Sequence, residues 1–208
     1  MRSVSGTGSA NFSHVYDRMI AVAPQPSLLE TAERIASLLR AQGVEMLVIG
    51  AAAMAAHGYV RQTEDLDFGM NLPIGDLGKV ADHLRGAGFN VVCREPDGQD
   101  PLGGVIDVSG PFGLIQLVNF GERFPAIIES GLADATLHTR RGGILRIIPL
   151  PHLIGLKLYA GGTKSKADIV ELLRRNPSAD RTPIRSLCRH YRLRGLEPLI
   201  READAAAP

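Results

Sequence analysis

Val48-Ile49-Gly50-Ala51-Ala52-Ala53-Met54-Ala55-Ala56-His57-Gly58-Tyr59-Val60-Arg61-Gln62-Thr63-Glu64-Asp65-Leu66-Asp67 carries strand, turn, helix and strand signals in close succession. The apolar run from Val44 to Ile49 ends at Gly50 and reads as a buried, central strand. Ala51 to Ala56 are strong helix formers closed by His57-Gly58, so the chain passes from strand to short helix at Gly50-Ala51. After a polar loop, Asp65 to Met70 alternates polar and apolar residues, the period of a strand with one buried face. Asp65 and Asp67 therefore point the same way.

Upstream, Ser27 and Glu30 match a capping box, and Leu28, Ala32, Ile35, Leu38 and Leu39 recur at helical spacing until Gly43. Downstream, the pattern predicts a helix from about Pro73 to Ala87 and a strand at Phe89 to Cys93. Two further strands, Val105 to Ser109 and Leu114 to Phe120, are joined as a hairpin by Gly110-Pro111-Phe112-Gly113. A strand at Ile144 to Ile148 leads into Pro151, and helical spacing follows over Leu153 to Ala160, Ala167 to Arg175 and Ile184 to Leu193. The expected fold is α/β in the α+β sense, a mixed β-sheet flanked by helices over residues 25–150. A flexible arm, residues 1–24, precedes it, and a C-terminal helical segment, residues 151–208, packs on it.

The 208 residues are 45% hydrophobic and 22% charged, with a net charge of +1, which excludes a disordered or fibrous chain and any overall pull toward nucleic acid. Cys93 and Cys188 lie far apart in apolar stretches, as reduced thiols do. The start is rich in Ser and Gly rather than shaped as an export signal. The longest apolar run, Met46 to Ala56, falls short of the ~20 residues that span a membrane. A cytoplasmic protein without a membrane partner is expected. No zinc-ligand spacing, P-loop or Ser/His/Asp arrangement stands out.

Two carboxylates at i and i+2 on a strand suit a divalent cation shared with a triphosphate, and their hard oxygens suit Mg²⁺. In a two-metal site such ions clamp the attacking and leaving oxygens. Gly50 lets a ligand approach the backbone, and the helix start offers N–H groups to anionic oxygens. Glycine turn, short helix, His57-Gly58, Arg61-x-Thr63 and Asp65-x-Asp67 together resemble the nucleotidyltransferase superfamily, especially its small bacterial stand-alone members and the nucleotidyltransferase-like toxins of abortive-infection systems. The lysine-rich stretch Leu153 to Asp168 extends the resemblance, less specifically, so that it covers roughly residues 44–175.

The resemblance implies a nucleotidyltransferase-type sheet, Asp65 and Asp67 as catalytic metal ligands, Gly50 and Ala51 as the phosphate turn, and Lys157 and Lys164 as phosphate contacts. Arg61 either contacts phosphate or braces its turn. Mg²⁺ and an NTP such as ATP would be cofactor and substrate, and a nucleoside monophosphate would pass to an acceptor hydroxyl. Ala51 replaces the serine of many active relatives, and Gln116 stands where they place a third carboxylate. With Gly110 to Gly113 as the loop, Ser109 faces Leu114 and Asp107 faces Gln116. In that register Asp107 is the third catalytic and metal-binding carboxylate, and a one-residue slip turns it away. Without it, the alternative is a catalytically impaired binding or regulatory module of the same fold, a toxin–antitoxin-like partner.

Arg181, Arg185, Arg189 and Arg192 fall on one helical stripe, either a solvated face or a surface for RNA or an acidic protein. Lys164 and Asp168 have the i, i+4 spacing of an exposed ion pair, and His57 beside Gly58 reads as a capping or packing residue.

Overall fold

The computed structural model describes residues 26–96, 102–121 and 123–205. The expected arm, residues 1–24, lies outside them. The first helix, α1 (Leu28–Arg40), opens on the complete capping box: Glu30 N–H donates to Ser27 Oγ at 3.2 Å, and Ser27 N–H donates to Glu30 Oε2 at 2.8 Å. Next come β1 (Met46–Val48), α2 (Gly50–Ala56) and β2 (Asp65–Met70). The helix expected from Pro73 instead begins as a 3₁₀ turn, Ile74–Asp76, and continues as α3 (Leu77–Gly86). The strands β3 (Asn90–Arg94), β4 (Val105–Gly110) and β5 (Gly113–Asn119) follow, then α4 (Pro125–Asp134) and β6 (Arg146–Ile147). The chain ends in α5 (Leu150–Ala160), α6 (Gly162–Arg175), α7 (Arg181–His190) and α8 (Leu196–Ala205).

The six strands form one mixed sheet in the order β3-β4-β5-β2-β1-β6. β2 runs parallel to β5, β1 runs parallel to β6, and the other neighbours are antiparallel. The chain is thus α/β, with a mixed sheet flanked by helices. Leu66, Phe68, Ile106, Val108, Ile115 and Leu117 share one buried sheet face, and α1 packs on β5 and α3 on that side. Asp65, Asp67 and Gly69 share the other face, where Ile128 of α4 fits over Gly69. α4 packs on β1 and β2, and α5 packs on α4, so helices close one half of this face beside the aspartates. β3 is an edge strand with Val92 exposed, and β6, the opposite edge, has only two residues.

One buried polar side chain ties the strand ends together. Asn119 accepts N–H bonds from Leu72 at 2.9 Å and Gly121 at 3.0 Å, and donates to the carbonyls of Leu72 and Gly103 at 3.1 Å each. No water reaches it, because its exposure is 0%. Asn119→Ala would leave four backbone groups short of a partner at the core, at a cost of about 2–4 kcal/mol. Urea denaturation of the variant against the parent measures this directly; a loss below 1 kcal/mol would contradict the bonding described.

Candidate functional site

Gly50 is the pivot between β1 and α2. Its φ is +62°, a left-handed conformation that glycine adopts without penalty. The bare Cα lies against the next strand: a Cβ built on Gly50 would stand 1.8 Å from Asp67 Oδ2. Antiparallel pairing fixes the approach, with Val48 opposite Phe68 and Ile49 N–H donating to the Asp67 carbonyl at 2.9 Å. Ala51, the next residue, is buried, and Ile49 provides no side-chain cap for α2.

Asp67 and Asp65 point to the same side of β2, as the alternation implies. Burial, then repulsion from Asp65, pushes the Asp67 carboxyl up from its ordinary 3.8 to about 6, and Lys157 and Arg61 pull the other way. Asp65 accepts a short hydrogen bond from Thr63 Oγ1. Arg61 Nε is buried and has no hydrogen-bond partner among the described residues, although its cation acts on Asp67.

Gly50, Asp67 and Lys157 line one cleft of about 310 Å³. Its remaining wall is mostly apolar, with Leu102, Val118, Phe120, Leu153, Leu156 and Tyr159, and Ser165 of α6 stands at its edge. The Tyr159 ring lies 4.6 Å from that of Phe124. Lys157, on the last turn of α5, donates to Asp168 Oδ2 at 2.6 Å, and both side chains are largely buried, 14% and 6% exposed.

The hairpin pairs Asp107 with Gln116, and Gln116 with Asp67 on its other side. The three stand in one row on one face, so the register is the expected one. Asp107 nevertheless sits two strand spacings from Asp67, roughly 9.5 Å away in the backbone. Its carboxylate accepts from Gln116 Nε2 at 2.7 Å and pairs with Arg94 at 2.8 Å. Among the described residues no three His, Cys, Asp or Glu side chains gather as a metal cluster.

No family model and no curated protein matches the chain. Solved structures do. The antigenic nucleotidyltransferase-like protein from Paracoccidioides brasiliensis superposes with a TM-score of 0.50 at 16% identity, covering 86% of this chain and 93% of that one. The chain has the nucleotidyltransferase fold. ANT(2")-Ia in complex with adenylyl-2"-tobramycin is similar at a TM-score of 0.48 and 15% identity, over 79% of this chain and 96% of that one.

Within the nucleotidyltransferase fold the structure brings Gly50, Asp65, Asp67, Arg61 and Lys157 together and leaves Lys164 apart, exposed on α6. The Lys164–Asp168 pair suggested by spacing does not form, because Asp168 faces inward to Lys157. His57 is structural: it ends α2, and its Nε2 lies 2.8 Å from the Ile148 carbonyl oxygen. The arginine stripe is broken. Arg181 donates to the carbonyls of Leu173 and Asn176, Arg185 pairs with Glu197, and Arg192 lies beyond α7 with φ +55°. Among the described residues no helix is long and apolar enough to cross a membrane. Sequence reasoning gave Asp168 another partner and missed the apolar wall around Tyr159, because only the fold brings Asp168 to Lys157 and that wall to the cleft.

Gly50→Ala forces both a clash and a strained φ, and is expected to cost about 1–3 kcal/mol. The loss should shrink when Asp67→Ala is combined with it, since the overlaps with Oδ2 and Cγ then vanish and only the residue-67 Cβ, at 2.9 Å, remains close; additive losses in chemical denaturation would refute the contact. The raised carboxyl of Asp67 has a definite sign. The folded state holds its proton more tightly than the unfolded state, so the ionised group destabilises the protein above pH 6 and ceases to do so below about 3.8. Without divalent cations, Asp67→Asn should be more stable than the parent by about 2 kcal/mol at pH 8, after allowance for partial exposure, and level with it at pH 3.5.

Proposed function

We propose that the chain transfers a nucleoside monophosphate from an NTP to an acceptor hydroxyl, with Mg²⁺ and with release of pyrophosphate. One observation carries the reading: Asp67 is pressed against the bare backbone of Gly50 at a cleft that Lys157 also lines. A carboxylate held there, desolvated and beside Asp65, is unfavourable in the free protein and becomes favourable once positive charge arrives.

The donor set fits a hard divalent cation. Mg²⁺ commonly takes one or two carboxylates and completes its shell with phosphate oxygens and water, which is what Asp65 and Asp67 allow. When bound there, the ion would neutralise charge on the triphosphate. Lys157 and the Nε–H of Arg61, which has no partner among the described residues, would hold phosphate oxygens, and the Gly50-Ala51 turn would let them approach the backbone. Lys164, exposed on the same helix as Ser165, would meet only the outer end of a ligand. The apolar wall near Tyr159 excludes water from the phosphorus that reacts.

The acceptor approaches along the row Asp67, Gln116, Asp107. Its oxygen bonds to the α-phosphorus as the bond to pyrophosphate breaks, and its proton passes to Asp107 on the acceptor side. Asp65 and Asp67 form the metal pair, and Asp107 serves the acceptor instead of a third metal position. The free thiols of Cys93 and Cys188 accord with a cytoplasmic setting. Arg189 and Arg192, both exposed, are the part of the arginine stripe open to an RNA or an acidic protein.

Saturating Mg²⁺ with the preferred NTP should raise the melting temperature by roughly 5–10 °C, since a ligand at a hundred times its Kd adds about 2.7 kcal/mol. Asp65→Ala and Asp67→Asn should each abolish the rise. An NTP labelled at the α-phosphorus should label an acceptor in cell extract only with the parent protein. A shift without any labelling would make the chain a binding module, and a shift retained in both variants would rule out the site.

A further inference from the structure

The Lys157 ammonium acts on two carboxylates and bonds to one of them. Its Nζ donates to Asp168 Oδ2 at 2.6 Å. No hydrogen bond joins it to Asp67 among the described residues, although it lines the same cleft as Asp67 and its charge acts on that carboxylate. Asp168 reaches this position because the chain reverses at Gly161 and Gly162, with φ of +66° and +75°, between α5 and α6. The reversal folds α6 back against α5 and buries Asp168 to 4% exposure beside a lysine eleven residues earlier in the chain. A lysine on a flexible four-carbon stem moves to the nearest anion it can reach. Without Asp168, Asp67 on the same cleft is a carboxylate for it to turn to.

We propose that Asp168 is a positioning residue that tethers Lys157 away from Asp67, keeping Asp67 open to a divalent cation while the remaining N–H groups of Lys157 stay available to a ligand's phosphate. The proposal rests on the reading of Asp65 and Asp67 as the cation site. It differs from a packing role in one respect: the damage caused by losing Asp168 is done by Lys157, so removing Lys157 as well should repair it. An ammonium has three donors, and the tether uses one of them. Asp168 therefore holds Lys157 while leaving it free to bind phosphate.

The test is Mn²⁺ binding to the full chain without nucleotide, followed by titration calorimetry and by the paramagnetic resonance of free Mn²⁺, with folding checked by circular dichroism. Asp168→Asn keeps the shape and loses the charge. It should bind Mn²⁺ about tenfold more weakly than the parent, because an ammonium paired with Asp67 competes with the ion. The double variant Lys157→Met/Asp168→Asn should return to the parent's Mn²⁺ affinity while binding NTP poorly. Asp168→Ser gives a second route to the untethered lysine. Unchanged Mn²⁺ affinity in both single variants overturns the proposal, as does a double variant that binds as weakly as Asp168→Asn. If neither single variant folds while the double variant does, the role of Asp168 is structural and the proposal falls. If the parent protein itself binds no Mn²⁺, the reading of the cation site fails first.

Discussion

A single steric contact, the Asp67 carboxylate against the Cα of Gly50, constrains much of the rest. It requires a left-handed glycine between β1 and α2, because any side chain there would occupy the space of the carboxylate. It also requires β1 and β2 to pair in one register, since a slip of one residue on β2 would turn Asp67 into the face that holds Leu66 and Phe68. That face is packed under α1 and α3, so the hydrophobic core enforces the register that the polar site needs. Parallel pairing with β5 then sets Gln116 beside Asp67, and the hairpin sets Asp107 beside Gln116. The site is thus specified by apolar residues that never touch it.

The charges around this contact are arranged unevenly. Two carboxylates lie side by side on β2, and two cations, Arg61 and Lys157, act on Asp67 from outside its strand. Lys157 is already paired, and Arg61 has a buried donor without a partner among the described residues. An orphaned N–H and a destabilised carboxylate are each unfavourable in a resting protein. Together they describe a surface shaped for something that carries both a cation and anionic oxygens. Farther along the row, Asp107 is matched by Arg94 and Gln116, so polarisation falls away across the sheet.

Local patterns in the chain were sufficient for the parts of the molecule whose geometry is local. Alternation from Asp65 to Met70, the capping box at Ser27, and the glycines flanking the β4–β5 loop each bound their element to within a residue or two. α4 escaped notice because its exposed face carries two alanines, Ala126 and Ala133, beside Glu129 and Asp134, so polarity marks little of its period. Spacing suggested Lys164 for Asp168, whereas the observed partner is on another helix and reaches it through a chain reversal. The arginine row failed for a similar reason: α7 stops at His190, and a left-handed Arg192 takes the chain out of helical phase. Asn119 resembles any polar residue at a strand end until four backbone groups converge on it.

The unequal edges of the sheet bear on how the molecule behaves in a crowd. The outer side of β6 is already taken, with Ile147 N–H donating to the Leu137 carbonyl at 2.8 Å and Thr139 N–H to the Leu145 carbonyl at 3.1 Å, so it leaves little template for another chain. β3 offers five residues, with the exposed Val92 at its middle and Arg94 at its end. Any unwanted growth of the sheet from molecule to molecule therefore has one open direction, and a single added charge at Val92 is the simplest way to make the protein tolerate high concentration.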